Sequence, residues 1–340
     1  MTSGDTTSSA SAINPRLINL VALLSDGLVH SGVELAAALG VSRTTVHKLV
    51  TSIGDLGLEA FSMRSKGYRL SKPVKLLIES EIRSAIDMPT QISVEKLHLV
   101  SWLDSTNDYL IESLDSHGPP DPGKFRVCVA EMQTRGRGRR GRSWLSPFGQ
   151  NVYLSVLFEF PHEITRLSGF SLATSLAVTR ACEKLGLQGV GVKWPNDLML
   201  QDRKLGGVLT EIRGESTSIS HVIVGIGVNL QMPQDVARLI NQKVVALEEL
   251  GLPIWRRNEF VGTLLGCLIM LIREFMAGSF ANFRMEWQRR NALLNRQVEV
   301  KTLRGVTQGI VKGVNDDGSL VLQTNSGEVS VTQGEVHVLA

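Results

Sequence analysis

The spacing of apolar positions divides the chain into three stretches. In the first, residues 16–72, helical spacing gives way to alternation. "RLINLVALLSDG" carries apolar residues at helical intervals and stops at Gly27. "SGVELAAALG" reads as a short helix that Ser31 caps and Gly40 ends, and "VSRTTVHKLVTSI" as a third that begins on the N-cap residue Ser42. Helix, tight glycine turn, helix is the helix-turn-helix arrangement. The third helix turns Arg43, Thr44, His47 and Lys48 outward and Val46, Leu49 and Val50 inward. "LEAFSMRSKGYRL" then alternates in places around a Lys66-Gly67 turn, which predicts a β-wing with Arg64, Lys66 and Arg69 near its tip, and Pro73 marks a linker. The alternative is an ordinary helical bundle with a solvated basic face.

Residues 74–294 mix the two periods. "FRVCVAEM", "NVYLSVLFEF", "RKLGGVLTEI" and "HVIVGIGVNL" read as strands, and "VGVKWPNDLML" as strand, Pro195-Asn196-Asp197 turn, strand. "ITRLSGFSLATSLAVTRACEKLGL" reads as one long helix and "IWRRNEFVGTLLGCLIMLIREFM" as another. Strands joined by short turns favour an α+β fold with a mixed sheet over a regular βαβ array. In residues 295–340, "QVEVKTL", "TQGIVKGV", "SLVLQT", "EVSVT" and "EVHVL" are short strands between Gly, Asn and Asp turns, as in a small β-barrel. No internal repeat is evident.

Composition narrows the classes. At 340 residues and 20% charged, the chain is expected to be a soluble multidomain protein. Its net charge of +3 is too small for a polycation, so any nucleic-acid surface must be a local patch. Cys128, Cys182 and Cys267 are far apart and odd in number, which favours a reduced cytosolic chain without disulfides or structural zinc. "MTSGDTTSSASA" is polar and small with no apolar h-region, so residues 1–15 are expected to be a disordered tail and not a signal peptide. The longest apolar run, "VGTLLGCLIMLI", is too short to span a bilayer, so no membrane partner is expected.

One stretch departs from all this. "TRGRGRRGRSW" places Arg135, Arg137, Arg139, Arg140 and Arg142 within eight residues, separated by Gly136, Gly138 and Gly141. It matches the G-x-G-x-x-G dinucleotide fingerprint and nearly matches a P-loop. Both motifs need a helix immediately after them, and here a β-branched strand follows. The cations must therefore be the side chains themselves, whose guanidinium forks suit phosphate and carboxylate. Neighbouring charges about 6 Å apart repel by roughly 3 kcal/mol at an effective dielectric near 20. With no internal counter-charge expected, such a loop is expected to be mobile alone and to order over an anion. A solvated charge run, an RNA-binding stretch and a nuclear-import signal are the competing readings.

Two further groups accompany the loop. "KWPNDL" and "RKLGG" are joined by "MLQD", a hairpin signal that puts Lys193 and Lys204 on neighbouring strands with room for an anion between them. Asp197 is either a Mg²⁺ ligand or the cap of its turn. "LDSTND" offers Ser105, Thr106 and Asn107 as neutral hydrogen-bonding groups for a small polar ligand head, with helix capping as the alternative.

Together "DSTN", "GRGRRGRSW", "SPFGQNVYLS", "VKWPNDL", "QDRKLGG" and "GVN" resemble the BirA-type family of bifunctional biotin–protein ligases and biotin-operon repressors of bacteria, from the first helix to the last strand. Lipoate ligases share the general fold but lack this Arg-Gly loop joined to "KWPND". The resemblance implies an N-terminal winged helix-turn-helix, a central class II synthetase-like domain and an SH3-like C-terminal barrel. It implies that biotin and MgATP form biotinyl-5′-AMP, which acylates a lysine of a biotin carboxyl carrier protein, and that no cofactor is tightly bound. By matching positions, biotin falls to Ser105, Thr106, Asn107, Gln133, Arg137, Gly138, Arg139 and Lys204. The nucleotide and its phosphates fall to Arg140, Arg142, Trp144, Asn196 and Asn229. Charge stabilisation in the reaction falls to Lys204, Arg139 and Lys193, with Asp197 toward Mg²⁺. Trp144 and Trp194 are candidate apolar walls for adenine or biotin, with core packing as the alternative. A cytoplasmic protein is implied that dimerises when it holds biotinyl-5′-AMP and contacts operator DNA of biotin-synthesis genes through Arg43, Thr44, His47, Lys48, Arg64 and Lys66. A biotin-sensing regulator without catalysis is the alternative.

Overall fold

Three helices and a two-stranded wing form the N-terminal unit, Met1–Leu76, of the computed structural model, which describes residues 14–64, 66–214, 220–303 and 305–339. The expected tail lies, up to residue 13, outside the described residues. Pro15 opens α1 (Pro15–Leu23), with Asn14 as its cap. Ser31 and Glu34 form a reciprocal capping box on α2 (Gly32–Leu39), which ends on left-handed Gly40. Ser42 then accepts from the backbone of Thr45 and starts α3 (Arg43–Thr51). Leu35, Val46 and Leu49 are buried with Leu17, Leu20 and Val21 of α1, whereas Val50 is half-buried. The wing pairs β1 (Ala60–Met63) with β2 (Gly67–Leu70), and His30 adds a one-residue bridge to Tyr68. That bridge requires Gly67, because a Cβ there would stand 1.9 Å from the His30 carbonyl oxygen. Val74 is buried and donates its N–H to Ser25, so this unit runs past the Pro73 linker mark.

The second unit, Leu77–Ala340, begins with α4 (Glu79–Ser84) and α5 (Met88–Ser93). Next come β3 (Val94–Val100), α6 (Thr106–His117), β4 (Phe125–Ala130), β5 (Val152–Phe160) and α7 (Phe170–Lys184). After them run β6 (Gly191–Lys193), β7 (Asp197–Leu200), β8 (Arg203–Arg213) and β9 (Ser220–Val228). α8 (Gln234–Leu239), α9 (Arg257–Ala277) and α10 (Ala281–Arg289) complete the helices. The seven strands form a mixed sheet in the order β3-β4-β5-β9-β8-β7-β6, parallel at β3–β4 and antiparallel elsewhere. β4 is buried at every position because helices cover both faces. Val127 and Val129 enter the large core with α7 and α9, while Cys128 turns the other way to join Leu110 of α6, Leu157 and Ile223.

The expected long helix from Ile164 is broken. Gly169 adopts φ 75°, so a short 3₁₀ turn precedes α7. Lys193 and Lys204 are not on neighbouring strands, because β7 lies between β6 and β8. Trp194 is 2% exposed, donates its indole N–H to the Gly318 carbonyl at 3.0 Å, and also borders the cavity described below. The helix Ile254–Ala277 is long and apolar enough to cross a membrane, but 72% of its most apolar window is buried inside the protein. A helix apolar on all sides suits that core position.

The last strands are β10 (Gln297–Thr302), β11 (Gly305–Val314), β12 (Leu320–Thr324), β13 (Gly327–Val331) and β14 (Glu335–Val338). They form a five-stranded antiparallel sheet in the order β13-β12-β11-β10-β14. That is the expected all-β domain, seen as a sheet and not as a closed barrel.

Candidate active site

α6 begins beside the sheet, and its first turn makes one wall of a cavity of about 860 Å³, within the range of small-ligand sites. Ser105, Thr106 and Asn107 are 5%, 4% and 4% exposed. Ser105 holds the N-cap position yet makes no capping bond with its side chain. Instead Gln133 accepts from the Thr106 N–H at 2.9 Å and hydroxyl at 3.2 Å, and donates to the Ser146 hydroxyl at 3.1 Å. Ser155 donates to the Asn107 carbonyl oxygen at 2.6 Å, and the Asn107 amide donates to Glu211 at 2.6 Å. The amide is thus fixed at both ends. Gly225 leaves the space, since a Cβ there would lie 2.4 Å from Asn107 Oδ1. Ser155, Glu211 and Gly225 were not singled out in the sequence. The signal for the last was present in "GIG", two glycines on one face of a buried strand.

The arginine loop is a hairpin. Arg137 bridges Ser143, Gly138 N–H donates to the Arg142 carbonyl at 2.7 Å, and Trp144 N–H donates to the Gly136 carbonyl at 2.8 Å. Its tip has φ 57° at Arg140 and 71° at Gly141, a two-residue left-handed turn of the kind hairpins favour.

The expectation of no internal counter-charge is corrected. Arg135 lies 3.6 Å from Asp104, and Arg137 lies 2.5 Å from Asp108 and 3.4 Å from Glu211. Arg140 and Arg142 share Glu335 of β14. The Arg142 bond leads the influences that hold the Glu335 carboxyl below the usual carboxylate range. Burial opposes the charge on Arg137, but the Asp108 bond and Glu211 outweigh it and raise its pKa.

Arg139 differs from the other four. Among the described residues no carboxylate oxygen lies within 4.0 Å of it, and its one bond is 3.5 Å to the Asn196 carbonyl oxygen. Burial, then the charge on Arg140, pulls its pKa below the usual arginine range. Lys193 behaves similarly. Burial lowers its pKa, Asp197 opposes this and Lys204 adds to it. Asp197 itself pairs with Lys204 at 2.7 Å.

A resident Mg²⁺ site does not fit these donors. Asp197, the carboxylate expected to hold it, already faces Lys204, Glu335 is shared by Arg140 and Arg142, and no group of three or more His, Cys, Asp and Glu gathers among the described residues.

The remaining walls are mostly neutral. Gly227 makes room for Trp144, whose ring a Cβ would approach to 2.7 Å, and Lys204 Nζ stands 5.6 Å from that ring's centre. Asn196 and Asn229 spend their amides on backbone, donating to Val208 at 2.7 Å and Val245 at 3.1 Å. Both line the cavity with Ser105, Thr106, Asn107, Gln133, Arg137, Gly138, Arg139, Arg140, Arg142, Trp144, Lys193, Asp197 and Lys204. No cysteine does. All three are buried, and burial raises each thiol, Cys182 to about 12. The cavity therefore offers no thiolate. It offers under-neutralised cations beside a neutral hydrogen-bonding head pocket, which suits two anions brought together.

In the N-terminal unit, Arg43, Thr44, His47 and Lys48 are exposed along α3, and Arg64 and Lys66 are exposed at the wing tip. Bases and phosphates of a duplex are within the chemistry of that set.

Comparison with known proteins agrees with both units. Residues 99–229 match the Biotin/lipoate A/B protein ligase family, residues 293–339 the Biotin protein ligase C terminal domain, and residues 16–69 an HTH domain. The bifunctional ligase/repressor BirA of Escherichia coli (strain K12) is 34% identical over 94% of this chain and 98% of its own. That of Bacillus subtilis (strain 168) is 29% identical over 91% and 93%. The biotin protein ligase from Aquifex aeolicus, solved in complex with biotin and ATP, has 27% identity and a TM-score of 0.59, covering 72% of this chain and 99% of that one.

Proposed function

The chain belongs to the biotin protein ligases, in the branch of the bifunctional ligase/repressors, and from that we propose that it activates biotin with ATP to biotinyl-5′-AMP. It then transfers biotin to a lysine of biotin carboxyl carrier protein, and it represses the biotin operon when biotin is plentiful. The observation that carries the ligase half is Arg139 and Lys193 lining one cavity without a carboxylate partner of their own within 4.0 Å among the described residues.

The reaction asks for that arrangement. A biotin carboxylate oxygen must attack the α-phosphate, and pyrophosphate leaves, so two anions that repel each other have to meet. Fixed cations offset the repulsion and cost no reorganisation at the moment of reaction. In the second step the carrier lysine attacks the acyl carbon and AMP departs, so the nucleophile belongs to the partner. Ser105, Thr106, Asn107 and Gln133 are assigned to the uncharged head of biotin, and Trp144 to a flat face of the ligand. Mg²⁺ enters with ATP as part of the substrate. The protein works in the cytoplasm, and holding the adenylate favours the homodimer that spans an operator. Incubation with biotin, ATP and a carrier domain, followed by streptavidin blotting, tests the ligase. An unlabelled carrier would leave a biotin-sensing regulator.

Arg139→Ala is expected to weaken adenylate binding about 10- to 100-fold, the loss of one charge-assisted bond. The melting temperature should stay near wild type, since Arg139 contributes no ion pair to the fold. A large fall in melting temperature with unchanged adenylate affinity would make Arg139 structural.

Lys193 should impose a pH dependence. Its pKa is lowered in the free protein, and a triphosphate beside it raises that pKa. Below the lowered value the lysine is charged in both states and affinity is full. As pH rises through that value, binding must take up a proton, and ATP affinity falls by up to about tenfold per pH unit. Calorimetric titration across the alkaline range reads this directly. Lys193→Arg should flatten the slope, and equal slopes in the two proteins would remove Lys193 from the phosphate site.

A further inference from the structure

We infer that His47 reads a guanine in each half-site of the operator, and that Tyr68 of the wing sets the imidazole to do so. The inference rests on the repressor reading and deepens it by naming the base. α3 is fixed in roll by Val46 and Leu49, which are 0% and 6% exposed. His47 lies between them in sequence and is exposed, on the face that also carries Arg43, Thr44 and Lys48. That face and that half of a recognition helix are where base edges are met.

The imidazole has a partner on one side. The Tyr68 hydroxyl lies 3.4 Å from His47 Nδ1, with the two ring centres 6.3 Å apart. Tyr68 is itself anchored through its backbone, which exchanges two hydrogen bonds of 2.9 Å with His30. A phenol is the better donor of the pair and an imidazole nitrogen the better acceptor. With the hydroxyl donating to Nδ1, the one proton of a neutral ring sits on Nε2. In a protonated ring Nε2 carries a proton as well. Both states present Nε2 as a donor.

A donor in the major groove discriminates among bases. Guanine shows two adjacent acceptors, N7 and O6. Adenine sets an amino donor beside its N7, cytosine shows a donor, and thymine shows O4 beside a methyl. The cations Arg43 and Lys48 on the same face strengthen the preference for the acceptor-rich edge. Tyr68 acts as a positioning residue and His47 as the specificity-determining one.

The test uses the full chain with biotin and ATP on its own biotin-gene promoter. Each guanine inside the footprint is replaced in turn by 7-deazaguanine, which lacks the N7 acceptor. One symmetry-related pair of guanines should weaken wild-type binding by about five- to tenfold per half-site, the worth of one hydrogen bond. His47→Ala should bind the natural site more weakly and lose that sensitivity, with a smaller loss of affinity for unrelated DNA. Tyr68→Phe keeps the ring and should lose part of the discrimination with little change in unrelated binding. A purely structural tyrosine would instead lower both affinities and the melting temperature together. If every 7-deazaguanine has the same effect in His47→Ala as in wild type, His47 reads no guanine and the inference is overturned. Absence of any ligand-dependent footprint overturns the repressor reading, and this inference with it.

Discussion

Replacing Lys204 by methionine is expected to cut adenylate formation by about 10²- to 10³-fold while the protein still folds. The strand does not depend on the charge. Lys204 is held through its backbone, donating its N–H to Lys243 at 2.9 Å and accepting from Val245 at 3.0 Å. Methionine preserves those bonds and the aliphatic stem beside Trp144. What disappears is the cation 2.7 Å from Asp197, with its side chain 19% exposed in the cavity wall. A fixed charge aimed at a developing oxyanion is a large term in transition-state stabilisation, and its loss acts on the rate more than on the fold. Single-turnover adenylation and thermal melting, measured on the same preparation, separate the two. Wild-type turnover in Lys204→Met would take Lys204 out of the chemistry.

Removing residues 1–76 is expected to abolish operator binding and to leave ligation measurable. The cut follows the hydrogen bonds. Val74 N–H belongs to Ser25, whereas Leu77 N–H belongs to Glu131 of the second unit at 2.5 Å. The exposed groups expected to meet DNA, from Arg43 to Lys66, leave with the first segment. A full chain should also show steeply salt-dependent binding through its phosphate contacts. Gel shifts of both proteins on the biotin-gene promoter, beside a streptavidin blot of the carrier, give the comparison. Retained operator binding in the shortened chain would locate DNA recognition outside the helix-turn-helix.

Legibility followed how local each signal was. Ser31, Gly40 and Ser42 cap and end their helices through neighbours within a few residues, so the helix-turn-helix could be read directly. Strands β4, β5, β8 and β9 were marked by their apolar runs. β3 was not, because its "VEKLHLV" is half-buried and polar at every second or third place. The break before α7 turned on one left-handed glycine, Gly169, inside an otherwise helical pattern. The residue set of the cavity was legible in "DSTN", the arginine loop and "KWPND". The charge balance was not, because the Asp104–Asp108 stretch, Glu211 and Glu335 reach the arginines from three separate places in the chain. Spacing along a sequence does not report such long-range pairing, and it also misplaced Lys193 beside Lys204.

Gly225 and Gly227 tie the history of this cavity to coupled change. Any side chain at 225 would press on Asn107 at 2.4 Å, and any at 227 on the Trp144 ring at 2.7 Å. Neither glycine can be exchanged alone without displacing a wall, and neither wall can be trimmed without opening a hole that no neighbour fills. The tolerated routes are paired ones, a larger residue on the strand with a smaller one opposite. Descendants of this protein should therefore vary at 225 together with 107 and at 227 together with 144, and an attempt to widen the pocket for a bulkier acid must start from the opposing residue, because the strand has nothing left to remove.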